Sequence, residues 1–105
     1  MTILIGEENR SYLQRMQKVV SEEGHDVIPA RLIIEANQAM IPSVDIDLVI
    51  IGNLGPGTEA FCQEITISGY RLITRDCDVQ GGILVPREAT KDEFLAEVRK
   101  ALNQA

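Results

Sequence analysis

The sequence predicts an α/β fold, a three-layer sandwich in which a parallel five-stranded sheet lies between two layers of helices. Apolar runs alternate with stripes of helical spacing along the 105 residues. The run Leu48–Ile51 is apolar at consecutive positions, which is typical of a strand covered on both faces at the centre of a parallel sheet. Right-handed crossovers then favour a doubly wound sheet of order 2-1-3-4-5.

The first strand and first helix have clear boundaries. The β-branched run Thr2–Ile5 predicts the strand, which ends at Gly6. Asn9 is a suitable N-cap for the helix that follows, and Gly24 is suited to end it. The buried stripe of this helix is predicted to comprise Tyr12, Leu13, Met16, Val19 and Val20.

The second strand is predicted at the edge of the sheet. It covers residues 26–30 and contains Pro29, which has no N–H to donate to a neighbouring strand. Apolar residues at helical spacing over about residues 32–42 predict the second helix, and Pro42 is expected to end it.

The second half of the chain has an unusually short connection. Thr58 opens a third helix, and the fourth and fifth strands are predicted at Tyr70–Thr74 and Ile83–Val85. Eight residues, Arg75–Gly82, separate these strands, whereas a full crossover between parallel strands needs about a dozen. We expect a compressed loop with the fifth strand still parallel; the alternative is a fifth strand that is not parallel to the fourth.

The last helix begins with a capping box. Thr90 and Glu93 stand three residues apart, so that each side chain can accept a hydrogen bond from the other's backbone N–H. Its buried stripe is predicted to comprise Phe94, Leu95, Val98, Ala101 and Leu102.

Composition excludes several classes of protein. The net charge of −6 and the low aromatic content (two Tyr, two Phe, no Trp) argue against a nucleic-acid partner. The longest apolar run is too short to cross a membrane, and no basic leader precedes the first strand, so we expect a cytoplasmic protein. Cys62 and Cys77 match no metal or redox spacing, and the acidic neighbours of Cys77 disfavour a reactive thiol.

Three stretches carry a family resemblance. Ile3–Asn9 is an apolar strand followed by the acidic pair Glu7 and Glu8. Asp47–Gly57 runs from an Asp through apolar residues to a Pro-Gly, and Leu72–Thr74 is a strand that ends in a hydroxyl. These stretches resemble the receiver domains of response regulators, the phosphoacceptor modules of bacterial two-component signalling. The resemblance implies a flavodoxin-like fold over nearly the whole chain.

The resemblance fails at the position that would carry the chemistry. With Pro56 placed on the family's proline, Gly52 stands at the phosphoacceptor position and has no carboxylate. Glu7 and Glu8 match the acidic pair that holds Mg²⁺ in the family. Because Gly52 removes the third carboxylate, we expect no cofactor beyond weak Mg²⁺ binding. The two glutamates also suit the start of a helix, where negative charge is favourable. Thr74 matches the switch hydroxyl, which here has no phosphoryl group to contact.

The family's lysine has no counterpart in either of two registers. In the family this lysine precedes a proline after the fifth strand. Aligning Pro86 places Val85 there, and predicts a cis Val85–Pro86 bond as in the family; aligning the last helix without gaps places Arg87 there. Both registers stay open.

One hypothesis is a degenerate receiver, or pseudo-receiver, over residues 1–105. It would not be an enzyme and would act by binding a protein partner or a second copy of itself. The connection between the fourth and fifth strands leaves the family's fourth helix shortened or missing, which should expose apolar surface beside those strands. The expected interaction surface is Arg75, Asp76, Cys77, Asp78 and Phe94.

The alternative hypothesis is a flavodoxin-like protein that binds a small ligand or phosphate. Open α/β sheets bind ligands at the carboxyl ends of their strands. The residues expected to converge there are Glu7, Glu8, Asn53, Thr74 and Arg75.

Overall fold

The computed structural model describes residues 1–40 and 45–103. Strands and helices alternate along these ranges, except that no helix separates the last two strands. In chain order the elements are β1 (Thr2–Gly6), α1 (Arg10–Glu22), β2 (Asp26–Ala30), α2 (Ile33–Ala39), β3 (Leu48–Ile51), α3 (Thr58–Ile67), β4 (Leu72–Thr74), β5 (Ile83–Leu84) and α4 (Lys91–Asn103).

The five strands form a parallel sheet of order β2-β1-β3-β4-β5, which confirms the predicted fold class. All four residues of β3 are buried, as expected for a strand covered on both faces. Pro29 lies in the edge strand β2, where its missing N–H breaks no ladder. The carboxyl ends of β1 and β3 lie side by side, with Gly6 paired to Ile51.

Each face of the sheet carries its own apolar core. On one face α1 and α4 pack against Val85, which follows β5, and against alternate strand residues, among them Ile3, Ile5, Leu48, Ile50 and Ile73. On the other face α2, α3 and the β4–β5 connection cover Leu4, Val49, Ile51 and Leu72. This division into three layers follows from the pleat, because successive strand residues point to opposite faces.

The predicted helix caps are present. The Asn9 side chain accepts a hydrogen bond from the Tyr12 N–H at 3.0 Å and begins α1. At α4 the Thr90 N–H donates to Glu93 Oε1 and the Glu93 N–H donates to Thr90 Oγ1, at 3.0 and 3.1 Å. These caps fix where the two helices of one layer begin, next to the carboxyl ends of the strands.

The connection from β4 to β5 is a compressed loop, as predicted. Residues 75–82 contain turns and no helix, and β5 pairs with β4 in parallel. Val79 from this loop is buried in the core beside Leu72 and takes part of the place of a helix. The cover is incomplete, because Leu84 of β5 remains 43% exposed.

Several predicted boundaries shift. The fourth strand begins at Leu72 instead of Tyr70, and the fifth ends at Leu84 instead of Val85. The second helix ends at Ala39, and Pro42, expected to end it, lies outside the described residues. No described helix is long and apolar enough to cross a membrane.

The expectation of a cis Val85–Pro86 bond is wrong. No cis peptide bond occurs in the described part of the chain. The trans chain still turns sharply enough here for the carbonyls of both residues to accept hydrogen bonds from the Arg75 guanidinium.

Candidate functional site

Glu7 turns its side chain into the protein directly after β1. Although ionisable, it is only 1% exposed. Its Oε1 accepts hydrogen bonds from the Asn53 N–H at 3.0 Å and from Arg87 Nη2 at 2.7 Å, and its Oε2 accepts one from the Asn9 N–H at 2.9 Å. Both carboxylate oxygens are therefore held by donors of the protein itself, as a buried charge requires.

Gly52 follows β3 and lies against the Glu7 carboxylate. A Cβ atom at this position would meet Glu7 Oε1 well inside 3.0 Å, closer than real Cβ atoms approach, and would lie 3.2 Å from Arg87 Nη2. The carboxylate of Glu7 thus occupies the space of the side chain that glycine lacks. Any larger residue at position 52 would displace it.

Arg87 joins the buried glutamate to the surface. Its guanidinium donates to Glu7 at 2.7 Å and to both carboxylate oxygens of Asp76, and it lies over the Tyr12 ring at 4.1 Å. The hydrogen bonds from Asp76 and Glu7 raise the pKa of Arg87 above its ordinary value. We call Glu7, Gly52, Asn53, Asp76 and Arg87 the closed pocket.

The acidic pair does not fit Mg²⁺. Glu8 is exposed, and its hydrogen bonds to other described residues are made by its backbone, which donates to Asn53 O and accepts from Arg31. Glu7 has both oxygens engaged and a guanidinium at one of them, whereas Mg²⁺ needs free oxygen ligands in octahedral array. Within residues 1–40 and 45–103, no group of three or more His, Cys, Asp or Glu residues could hold a metal ion.

Thr74 stabilises the compressed loop. It is fully buried, and its hydroxyl donates to the carbonyl of Cys77 at 2.5 Å. Cys62 is buried in the core, and burial, helped by the nearby Cys77, raises its pKa to about 12. Burial also raises the pKa of Cys77, with Glu59, Asp76 and Asp78 adding to the effect. Neither thiol is suited to nucleophilic chemistry.

Two residues of the expected interaction surface face inward. Arg75 is 5% exposed, and Phe94 is buried below it with the guanidinium 4.5 Å from the centre of its ring. Arg75 donates from Nε to Val85 O at 2.6 Å and from Nη2 to Pro86 O at 3.1 Å, and the Pro86 carbonyl also accepts from the Ala89 N–H at 3.0 Å in the turn before α4. This corrects the expectation for Arg75 and Phe94, which cannot form an outward-facing surface.

The other three residues of that surface differ in exposure. Asp76 is exposed but paired with Arg87, Cys77 is half-buried, and Asp78 is exposed. Val85 is buried in the core, so that of the two residues considered for the lysine position it is Arg87 that reaches the closed pocket.

The five residues of the ligand-binding hypothesis do not converge on one site. Glu7 contacts Asn53 within the closed pocket, whereas Glu8 stays outside it. The Thr74 hydroxyl is engaged by the loop, and Arg75 extends towards α4.

A cavity lies between α1 and the beginning of α4. It has a volume of about 160 Å³ and is lined by Tyr12, Arg15, Met16, Val19, Arg75, Arg87, Ala89, Thr90, Lys91 and Phe94. Tyr12, Met16 and Val19 belong to the buried stripe predicted for α1, whereas Arg15 and Lys91 were not predicted as site residues. The available signal was that Arg15 lies one turn from Tyr12 on the same helix face.

An apolar groove runs beside β5. It has a volume of about 560 Å³ and is lined by Ile83, Leu84, Val85, Pro86, Ala89 and Ala96, with Glu88, Glu93 and Glu97 also in its lining. It lies where the edge strand of the sheet meets α4.

Among the comparisons with known proteins, the solved structures alone give matches, and these concern the fold. No family model matches the chain, and no curated protein matches it. Among solved structures, a response regulator receiver domain from Clostridium thermocellum is 17% identical, with a TM-score of 0.84 over 98% of this chain and 94% of that one. The response regulator TrrA from Thermotoga maritima, in complex with Mg²⁺-BeF, is 21% identical, with a TM-score of 0.82 over 96% and 98%.

The non-phosphorylated HemR receiver domain from Leptospira biflexa is similar to the same extent. It is 18% identical, with a TM-score of 0.81 over 99% of this chain and 95% of that one. At these identities the likeness concerns the fold. The chain has the receiver-domain fold of two-component response regulators.

Proposed function

We propose that this chain is a degenerate receiver, a single cytoplasmic signalling module that takes no phosphoryl group and acts by binding another protein. The observation that carries the proposal is the Glu7 carboxylate, which fills the space beside Gly52 where an acceptor side chain would stand. The module is not an enzyme, and it needs no Mg²⁺.

No carboxylate of the closed pocket is free to act as an acceptor, because both oxygens of Asp76 accept hydrogen bonds from Arg87. Position 52 has no side chain, and the next residue, Asn53, carries an amide instead of a carboxylate. Glu7 is a carboxylate but is buried and accepts three hydrogen bonds. Attack on a phosphoryl donor would require a free oxygen and access from solvent, and Glu7 has neither. Arg87, the residue in contact with Glu7, is the better candidate for the lysine position.

Incubation with acetyl phosphate and Mg²⁺, followed by intact-mass measurement, tests the closed pocket. We expect no phosphoryl adduct on the wild-type chain. A stoichiometric adduct that is stable at neutral pH and lost at high pH would be an acyl phosphate and would overturn the proposal.

A rebuilt pocket supplies the positive control. The triple variant Glu7→Asp, Gly52→Asp and Arg87→Lys shortens the side chain that fills the pocket and restores the pattern that the resemblance implies. We expect it to take up phosphoryl groups. The matched triple with Gly52→Asn has the same shape without the nucleophile and should remain unlabelled.

The groove beside β5 is the proposed interaction surface. Leu84 projects from the edge strand, because no helix stands between β4 and β5 to cover it. Glu88, Glu93 and Glu97 give the lining a negative charge. A second copy docked through the same groove would bring like charges together, so the charge favours a partner that presents basic residues around an apolar contact.

Matched substitutions test this surface. Leu84→Asp should abolish capture of the partner from a lysate of the source cell, whereas Ile34→Asp should not. Ile34 is also an exposed apolar residue, at 61%, but it lies on α2 beside the opposite edge of the sheet. Equal capture by both variants would contradict the proposed surface. A dimer in light scattering that Leu84→Asp dissociates would identify the partner as a second copy.

A further inference from the structure

We propose that the cavity between α1 and α4 binds a small organic anion, a carboxylate or phosphate attached to a compact apolar group. We call this cavity the cationic cavity. Arg87, which pairs with Glu7 in the closed pocket, also lines this cavity, and the inference does not depend on the proposed function.

The lining of the cationic cavity is positively charged. The chain has a net charge of −6, with 10 basic and 16 acidic residues. Four of those basic residues line this one cavity, and no acidic residue lines it. The four are Arg15, Arg75, Arg87 and Lys91. A concave site lined by one sign of charge raises the local concentration of ions of the opposite sign.

Arg75 is a buried cation that has no anionic partner among the described residues. No carboxylate of the described residues lies within 4.0 Å of its guanidinium nitrogens. Its Nε and Nη2 donate to two carbonyls, while Nη1 makes no hydrogen bond among the described residues and is not fully enclosed; Arg75 itself lines the cavity. Buried charges are ordinarily paired, so an anion in the cavity would complete the environment of Arg75.

Arg87 shows the contrast within the same lining. Its charge is already balanced by Glu7 and Asp76. The attraction for a ligand therefore comes mainly from Arg75, Arg15 and Lys91. Guanidinium groups bind carboxylates and phosphates through paired N–H donors, which defines the anionic part of the ligand.

The remaining walls define the rest of the ligand. Met16, Val19 and Ala89 give one side of the cavity an apolar surface. Its volume of about 160 Å³ is close to that of an engineered cavity of about 150 Å³ that holds one benzene molecule. The faces of Tyr12 and Phe94 are already covered by guanidinium groups, so the apolar group would pack against the aliphatic side chains. A ligand of about one ring with one anionic substituent fits these walls.

Titration with phenyl phosphate tests the inference, with inorganic phosphate and benzamide as the anion-only and ring-only probes. At constant ionic strength we expect saturable binding of phenyl phosphate in calorimetry, at least tenfold tighter than either control. The methyl signals of Met16, Val19 and Ala89 should shift in NMR spectra. No saturable binding, or shifts confined to other residues, would overturn the inference. Equal binding of inorganic phosphate would show that the apolar part is wrong.

A pair of double variants separates the site from general charge. Arg15→Gln with Lys91→Gln removes two exposed cations of the lining. Lys18→Gln with Lys100→Gln removes the same charge from the same two helices outside the lining. Thermal unfolding verifies that both variants fold. We expect the first to weaken phenyl phosphate binding at least tenfold and the second less than twofold. Equal weakening by both would contradict a built site.

Discussion

The closed pocket and the cationic cavity share Arg87, but they differ in how their buried charges are balanced. In the closed pocket a guanidinium meets a buried carboxylate of the same chain, Glu7. In the cavity Arg75 is buried more deeply, yet its partners are carbonyl oxygens and rings. The chain therefore supplies its own anion at one site, whereas the described residues leave the neighbouring site without one. The first arrangement fixes a structure, whereas the second provides a place for a ligand.

Removing the cation of the closed pocket should have the largest effect. Arg87→Met leaves Glu7 buried without its charged partner, and we expect a loss of about 2–3 kcal/mol of unfolding free energy, near the low end for a buried pair because Arg87 is partly exposed. Urea unfolding monitored by circular dichroism measures it.

Two companion variants show whether that loss comes from the buried charge. Arg99→Met breaks the exposed pair with Glu23 and should cost less than about 1 kcal/mol. Adding Glu7→Gln to Arg87→Met should recover part of the stability, because a neutral amide is less costly to bury than an unpaired carboxylate. If Arg87→Met costs no more than Arg99→Met, the Glu7–Arg87 pair does not stabilise the pocket.

Filling the cavity with a carboxylate should make it resemble the closed pocket. Ala89 lies in the lining, so Ala89→Glu places an anion near Arg75 and the two exposed cations. We expect a gain of about 0.5 kcal/mol in unfolding free energy, as for a partly exposed ion pair, and loss of phenyl phosphate binding. Ala89→Gln is the isosteric control. Undiminished binding in the Ala89→Glu variant would locate the anion site elsewhere.

The smallest expected effect concerns the Thr90–Glu93 capping box at the start of α4, whose Thr90 lines the cavity. Hydrogen bonds from Thr90 lower the pKa of the exposed Glu93 below 4.5. The folded state thus favours the charged form of Glu93. The stabilisation that this carboxylate provides is present above pH 4.5 and disappears as the pH falls through its lowered pKa. Chemical unfolding of wild type and Glu93→Gln between pH 7 and pH 2 measures this difference. A difference that grows on acidification would contradict the cap.

The fold was largely predictable because its determinants are local. Consecutive apolar residues at Leu48–Ile51 indicated a central strand, and Pro29 indicated an edge strand. Asn9 and Thr90 indicated helix starts through cap chemistry that depends on residues three positions away. The short β4–β5 connection was predicted from its length alone.

The site was predictable only in part, because it depends on contacts between distant residues. The sequence showed that Gly52 lacks an acceptor, but it did not show that Glu7 rather than Glu8 turns inward to fill the space. The choice between Val85 and Arg87 required the course of the chain after β5. The burial of Arg75 depends on Phe94 and on two carbonyls, which no local pattern encodes.

A double-mutant cycle at Gly52 and Glu7 tests whether the Glu7 carboxylate fills the space beside Gly52. Gly52→Ala places a Cβ against the Glu7 carboxylate, and we expect it to lower the unfolding free energy by about 1–3 kcal/mol. In the Glu7→Ala background the space is empty, and the same substitution should change stability by less than about 0.5 kcal/mol. We therefore expect Glu7→Ala to remove most of the stability cost of Gly52→Ala. Equal costs of Gly52→Ala in both backgrounds would show that Glu7 does not fill the pocket.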